Sequence, residues 1–351
     1  MPQPRLYHRL YFALMLSTMS MALAEVLSMN DPIPWSHPMG YLLGYPVYGL
    51  HILVLGGLLY RFGRVRLVTI MCYGGLFGLY EAYLTKMVWT SLGTALSAQI
   101  GGVHLLETLL LVFSFHPVMS FLLPLIIAEL FMTRGERPVC GTFPFLRSRI
   151  GIFTSVIVLA VWSGLVMGSN LPKHGGRTAF GAPVVAIIVV GTLSAIWLLI
   201  FKGNRFSIRD LLPRGKGLWI LAALLLLVYL VYSPLMHPEA IPTEWPPHLI
   251  IIGIYVFFVT LIILWSSLNQ ASDSDNKDLV NASSPPLWLA VVGACIFLLI
   301  SFMHATSKEP GSFVAVTSFV GGGVLNIGFL VVCFFIAVKR WWRKRSNVCC
   351  S

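Results

Sequence analysis

The sequence is short of charge. Asp, Glu, Lys and Arg make up 11% of its 351 residues, less than half of the ~25% of an ordinary soluble domain. That is too little to coat the surface of a water-soluble chain of this length, and it excludes a soluble multi-domain protein. Cysteine is also sparse, and its six residues follow no metal or disulfide spacing. Cys72, Cys295 and Cys333 lie in apolar runs, where Cys behaves as a small hydrophobe. Cys140 falls in a basic loop, and Cys349 and Cys350, next to the last residue, Ser351, lie beside a basic stretch that would suit lipidation. Internal repeats are missing too: no 20–50-residue period and no inverted duplication of two halves is visible.

What is present is hydrophobic. Apolar residues reach 57%, with a mean hydropathy of +0.83. Runs long enough to cross about 30 Å of hydrocarbon lie near 10–29, 41–60, 67–90, 112–132, 150–169, 180–201, 217–233, 248–268, 286–304 and 313–338. The expected fold class is therefore all-α, a polytopic transmembrane helix bundle of about 10 spans. Strands cannot close a barrel from segments this long and uniformly apolar. The N-terminal basic lead and apolar run resemble a signal peptide, but a Pro-rich loop and a second span follow, so a retained first helix is expected.

Basic residues set the expected orientation. Of the 24 Lys and Arg, only Lys86, Lys173, Arg177 and Lys308 fall on one side of an even-span topology. The other twenty fall on the side of both termini, which predicts N-in and C-in in a cell membrane. The net charge of +11 is then a topology signal, and no nucleic-acid partner is implied. Between Thr90 and Met132 about 40 mostly apolar residues must cross an odd number of times. Residues 91–110, with Gly101-Gly102, are expected as a re-entrant or interfacial helix on the outer side, and Leu111–Met132 as the span, kinked at Pro117 and Pro124.

Ionisable residues within the spans are the sharpest feature. The six C-terminal spans have none in their cores, with His248 and His304 only at edges. The first four carry Glu25, His51, Glu81, His116 and Glu129. Each costs about 2.5 kcal/mol or more to insert, which marks it as a functional candidate. At about 1.5 Å per helical residue, Glu25, Glu81 and His116 fall at one depth, roughly 21–24 Å from the basic side. His51 is near mid-span, and Glu129 near the inner edge is expected outside the group.

Carboxylates and imidazoles at one depth have several uses. A desolvated Glu serves as a general base toward water, with a His sharing the proton or donating to an oxyanion. Glu25, Glu81, His116 and His51 could instead bind a divalent metal such as zinc, or relay protons in a transporter. The plainest alternative is that each group pairs with a neighbour and pins helices together. Lys86 is expected to snorkel to the interface, and His104 and Glu107, three apart on an outer amphipathic helix, to be solvated. His8, His37, His174 and His237 are expected at the surface, and Trp35, Trp89, Trp245, Trp341 and Trp342 in interfacial belts. Gly74, Gly75 and Gly78 permit close helix approach near Glu81, and the Pro-rich loop Asn30–Trp35 could cap the group.

Three segments carry a resemblance: Ala24-Glu25-Val26-Leu27-Ser28 with Pro32; Tyr73-Gly74 through Tyr80-Glu81 to Lys86; and Phe115-His116 with Ser120, Pro124 and Glu129. Over residues 20–132 they resemble uncharacterised prokaryotic multi-pass proteins and, more distantly, intramembrane glutamic proteases of the CAAX-protease and bacteriocin-processing type. The resemblance implies Glu81 as the water-activating carboxylate and His116, followed four residues later by Ser120, as its partner. Ala82 and Thr85 stand where that type has a second Glu and an Arg.

Together these readings place a polar site in residues 1–132, an apolar helical scaffold in 133–338 and a basic cytoplasmic tail in 339–351. The candidate catalytic residues are Glu81, His116, Glu25, His51 and Ser120. The leading expectation is an intramembrane hydrolase-like protein in the lipid bilayer, acting on a membrane-embedded peptide or lipid-like substrate. A proton-coupled transporter or small-molecule-binding protein, and a non-catalytic scaffold, remain as alternatives. Oligomeric state is not encoded in any of these features.

Overall fold

The computed structural model describes residues 3–62, 65–90, 98–171, 177–268, 285–306 and 312–349. Ten long helices follow one another: α1 Leu6–Val26, α2 Gly40–Phe62, α3 Leu67–Leu84, α4 Leu105–Met132 and α5 Arg149–Asn170, then α6 Arg177–Leu199, α7 Lys216–Tyr232, α8 Trp245–Ser267, α9 Leu287–Thr306 and α10 Ser312–Cys349. Among the described residues nine contain stretches long and apolar enough to cross a membrane. The tenth, α7, is apolar but has 17 residues, about 25 Å at helical rise. Each helix coincides with an expected run. Helix α10 continues unbroken through the basic stretch to Cys349, because no Gly or Pro interrupts it after Gly328 and its Lys and Arg are good helix formers.

The helices form two shells. The membrane-crossing stretches of α1–α4 are 61–78% buried, and those of α5, α6, α8, α9 and α10 only 17–22%. Helix α3 packs between α4 and α8, α10 lies on α4, α7 on α2, and α5 pairs with α9. The outer shell exposes side chains such as Ile150 and Leu325, at 80% and 75%. Such a surface is stable against lipid and not against water.

Glycine sets the tightest seam. A Cβ on Gly74 would lie 2.6 Å from Pro117 Cα, and one on Gly78 2.6 Å from Leu111 O and 3.1 Å from His116 Cβ. A Cβ on Gly75 would meet the Phe258 ring at 2.4 Å. The Gly74/Gly78 pair is a small-xxx-small face that lets the α4 backbone lie directly on α3.

The inner helices are also locally widened. The end of α1 (Ala22–Val26), the start of α2 (Gly40–Gly49) and most of α4 (Thr108–Leu122, then Ala128–Met132) are π-helical. Pro46 and Pro117 lie inside two of these segments, where each removes a backbone donor and breaks the regular ladder. Such widened turns recur at functional sites.

Four expectations are corrected around the segment that joins α3 to α4. Residues 98–104 are not a re-entrant helix. Gln99–Ile100 (β1) and Val103–His104 (β2) pair antiparallel, Gln99 opposite His104, around Gly101 and Gly102 at φ +54° and +80°. Two successive positive φ values make a tight hairpin turn that glycine tolerates and a helix forbids. Helix α4 starts at Leu105, and the rest of the expected segment, 91–97, lies outside the described residues. His104 and Glu107 are not solvated: they are 5% and 0% exposed, with Nδ1 and Oε2 3.9 Å apart, because the hairpin folds inward onto α8.

Lys86 does not snorkel. It is fully buried and left-handed, with φ 63°, where it ends α3. Its Nζ donates to Tyr83 O at 3.2 Å, Leu84 O at 3.3 Å, Ser233 O at 2.8 Å and Ser233 Oγ at 3.1 Å. The ammonium thus caps the last carbonyls of α3 and ties them to the end of α7. Trp89, expected in the belt, is 8% exposed and packs edge-on to Tyr83 and His248. His8 is half-buried, against Phe206. His174 lies outside the described residues.

Candidate functional site

Glu81 sits in the last turn of α3, and the Gly78 seam one turn earlier sets its distance from α4. Its Oε2 lies 2.8 Å from His116 Nε2. Two lone pairs at that separation would repel, so a proton lies on one of the two atoms. The ring is not aimed along the contact, and Glu81 Oε2 accepts no aligned hydrogen bond. The other ring nitrogen, Nδ1, is 2.9 Å from Ser120 Oγ. For the neutral ring protonated at Nε2, Ser120 donates to Nδ1 and fixes the tautomer. Ser120 is itself fully buried, and its carbonyl accepts from Ser20 Oγ at 2.6 Å. The result is a line of polar groups, Glu81–His116–Ser120, across the α3–α4 seam.

Glu25 joins this line from α1. One carboxylate oxygen accepts the Tyr48 hydroxyl, and the other accepts Asn30 Nδ2 at 2.6 Å. The ring of Tyr48, which it holds, stands 6.3 Å from the His116 ring. Asn30 belongs to the Pro-rich loop, which is braced by Trp35 Nε1 donating to Tyr45 OH at 3.2 Å and by His37 facing Asp31.

His51 completes the cluster from α2. It is 2% exposed, and its ring is stacked 4.8 Å from Phe77, which also stacks against His116 at 5.8 Å. Its Nδ1 is 2.5 Å from Val47 O. A carbonyl only accepts, so Nδ1 carries the proton and Nε2 of the neutral ring is a bare lone pair. That Nε2 is buried without a hydrogen-bond partner.

The structure therefore brings Glu25, His51, Glu81, His116 and Ser120 into one neighbourhood. Glu129 stays apart, as expected. It is fully buried and accepts from Tyr60 OH at 2.5 Å, Val139 N at 3.1 Å and Cys140 N at 2.8 Å. It caps the short helix Pro138–Gly141 and pins the basic loop to the end of α4. Among the described residues no three His, Cys, Asp or Glu side chains converge to hold a metal ion. Tyr48, Asn30 and Phe77 were missed in the sequence. Only the Pro-rich loop after Glu25 pointed toward Asn30.

Residues 14–343 match a family model described as an uncharacterized membrane protein family, and the chain belongs to that family. It is 29% identical over 266 residues to an uncharacterized protein of Archaeoglobus fulgidus, covering 75% of this chain and 80% of that one. No solved structure matches the chain.

Proposed function

We propose that this member of the membrane family is an intramembrane hydrolase-like protein, acting on a membrane-embedded peptide or lipid-like substrate. The observation that carries the reading is the Glu81–His116 pair, 2.8 Å apart with Glu81 Oε2 making no aligned hydrogen bond. Glu81 takes a proton from the attacking water. As the water oxygen bonds to the substrate carbonyl carbon and the bond to the leaving group breaks, His116, oriented by Ser120, gives its Nε2 proton to the leaving group, and the proton held by Glu81 then restores Nε2. Ser120 is a positioning residue, and Tyr48 with Asn30 keeps Glu25 in place beside the pair. The likeness of the Glu81 and His116 segments to intramembrane glutamic proteases supports this chemistry. Ala82 and Thr85 depart from that type, so the second carboxylate here is Glu25, from α1. The basic loops put both termini in the cytoplasm of the cell, with the cluster toward the outer leaflet.

The test is hydrolysis in H₂¹⁸O by the purified protein in proteoliposomes, across quenched transmembrane peptides and acyl-lipid esters. One ¹⁸O should enter the new carboxyl group, and Glu81→Gln should slow release by about 100-fold or more. Product release that is equal in wild type and Glu81→Gln, or absent across the panel, would reject the hydrolase. Proton uptake linked to solute flux in the same liposomes would point to the transporter instead.

A further inference from the structure

The cluster has an uneven supply of hydrogen-bonding groups. Its donors are engaged: the Tyr48 hydroxyl and the Asn30 amide on Glu25, and the Ser120 hydroxyl on His116 in its neutral form. Lys86, in the turn after Glu81, aims its Nζ at Tyr83, Leu84 and Ser233 instead. Two buried acceptors lack an aligned hydrogen bond: Glu81 Oε2, which has His116 Nε2 2.8 Å away but out of line, and His51 Nε2. The His51 nitrogen is an acceptor by necessity, since Nδ1 holds the proton against Val47 O. The His51 ring lies 5.5 Å from the ring of Tyr80, the residue before Glu81, and stacks on Phe77, which also stacks on His116.

A ligand that fits must bring donors, and the charges say which kind. Glu25 and Glu81 are two carboxylates, and among the described residues the cluster draws no Lys or Arg side chain toward them. Leaving a buried acceptor unmet costs about 1–3 kcal/mol, and a buried carboxylate favours a cationic donor over a neutral one. We propose that this cluster binds a primary ammonium group, with Glu81 Oε2 and His51 Nε2 as two of its acceptors. An ammonium presents three N–H donors, enough for both atoms and one more. This deepens the hydrolase reading and rests on it for the ligand's fate: the substrate carries a free primary amine beside the bond that is cut. Binding itself does not require turnover.

The experiment titrates full-length protein in nanodiscs with hexylammonium, hexyltrimethylammonium and 1-hexanol, reading the ligand-dependent rise in unfolding temperature. Hexylammonium should stabilise the protein saturably. The trimethyl compound has the charge without the donors, and the alcohol has one donor without the charge, so neither should match it. Glu81→Gln and His51→Phe should each weaken the apparent hexylammonium affinity by about tenfold or more. Equal shifts for the three probes, or no shift for hexylammonium, overturn the proposal, and this comparison stands even if a variant fails to fold. If His51→Phe leaves binding intact while Glu81-dependent hydrolysis persists, the ammonium site is wrong and the hydrolase survives.

Discussion

Replacing Lys86 by Met keeps most of the buried volume and removes only the ammonium. Four oxygens lose a donor: Tyr83 O, Leu84 O, Ser233 O and Ser233 Oγ. Lys86 is fully buried, so water cannot simply replace it. Orphaned buried acceptors cost about 1–3 kcal/mol each. Three N–H donors serve four acceptors, and partial relaxation is expected, so the net loss should be about 2–4 kcal/mol. Equilibrium unfolding in mixed SDS micelles reads this directly. Ser233→Ala alone should cost less, because the 2.8 Å bond to Ser233 O survives. The double variant should show coupling of about 0.5–3 kcal/mol. Burial also holds the Lys86 pKa below its ordinary 10.5. Between the lowered value and 10.5 the unfolded chain binds more protons, so stability from this group rises with pH. That increment should be missing in Lys86→Met. A Met variant within about 0.5 kcal/mol of wild type would mean that Lys86 reaches the headgroups after all, and the α3–α7 tie would be refuted.

Two further outcomes follow from the packing. Gly78→Val puts a Cβ 2.6 Å from Leu111 O and 3.1 Å from His116 Cβ; overpacking should cost about 1–3 kcal/mol, and the opened seam should abolish any Glu81-dependent activity, read by unfolding and turnover on the same sample. Glu129→Gln turns one acceptor oxygen into a donor, against Tyr60 OH and the Val139 amide on one side or the Cys140 amide on the other, so it should cost about 1.5–3 kcal/mol and speed trypsin cleavage at Arg134 and Arg147 while leaving the Glu81 site intact.

The architecture was legible because lipid demands long apolar runs, and ten such runs became ten helices. The meeting of Glu25, Glu81 and His116 was legible in outline, since helical rise converts residue counts into depth. The segment after Thr90 was not. Val103-His104 reads as part of a helix over 91–110 until the two positive φ values at Gly101 and Gly102 are seen, and a hairpin this short leaves no period-2 pattern. Lys86 misled for a related reason: a lysine near a helix end ordinarily reaches water, and only its left-handed backbone turns the side chain back onto its own carbonyls. Tyr48 and Phe77 carried no sequence signal, because aromatics are common in every span. Their roles come from packing between helices distant in the chain.

The proposed chemistry requires Glu81 and His116 to act as one proton-transferring pair. Cleavage rates of a quenched transmembrane peptide in proteoliposomes test it most directly, with wild type, Glu81→Gln, His116→Ala and the double variant compared at matched folded content. Residues that act as a unit are non-additive, so each single variant should lose nearly all activity and the double variant should lose little more. Multiplicative losses, or full activity in either single variant, would contradict it.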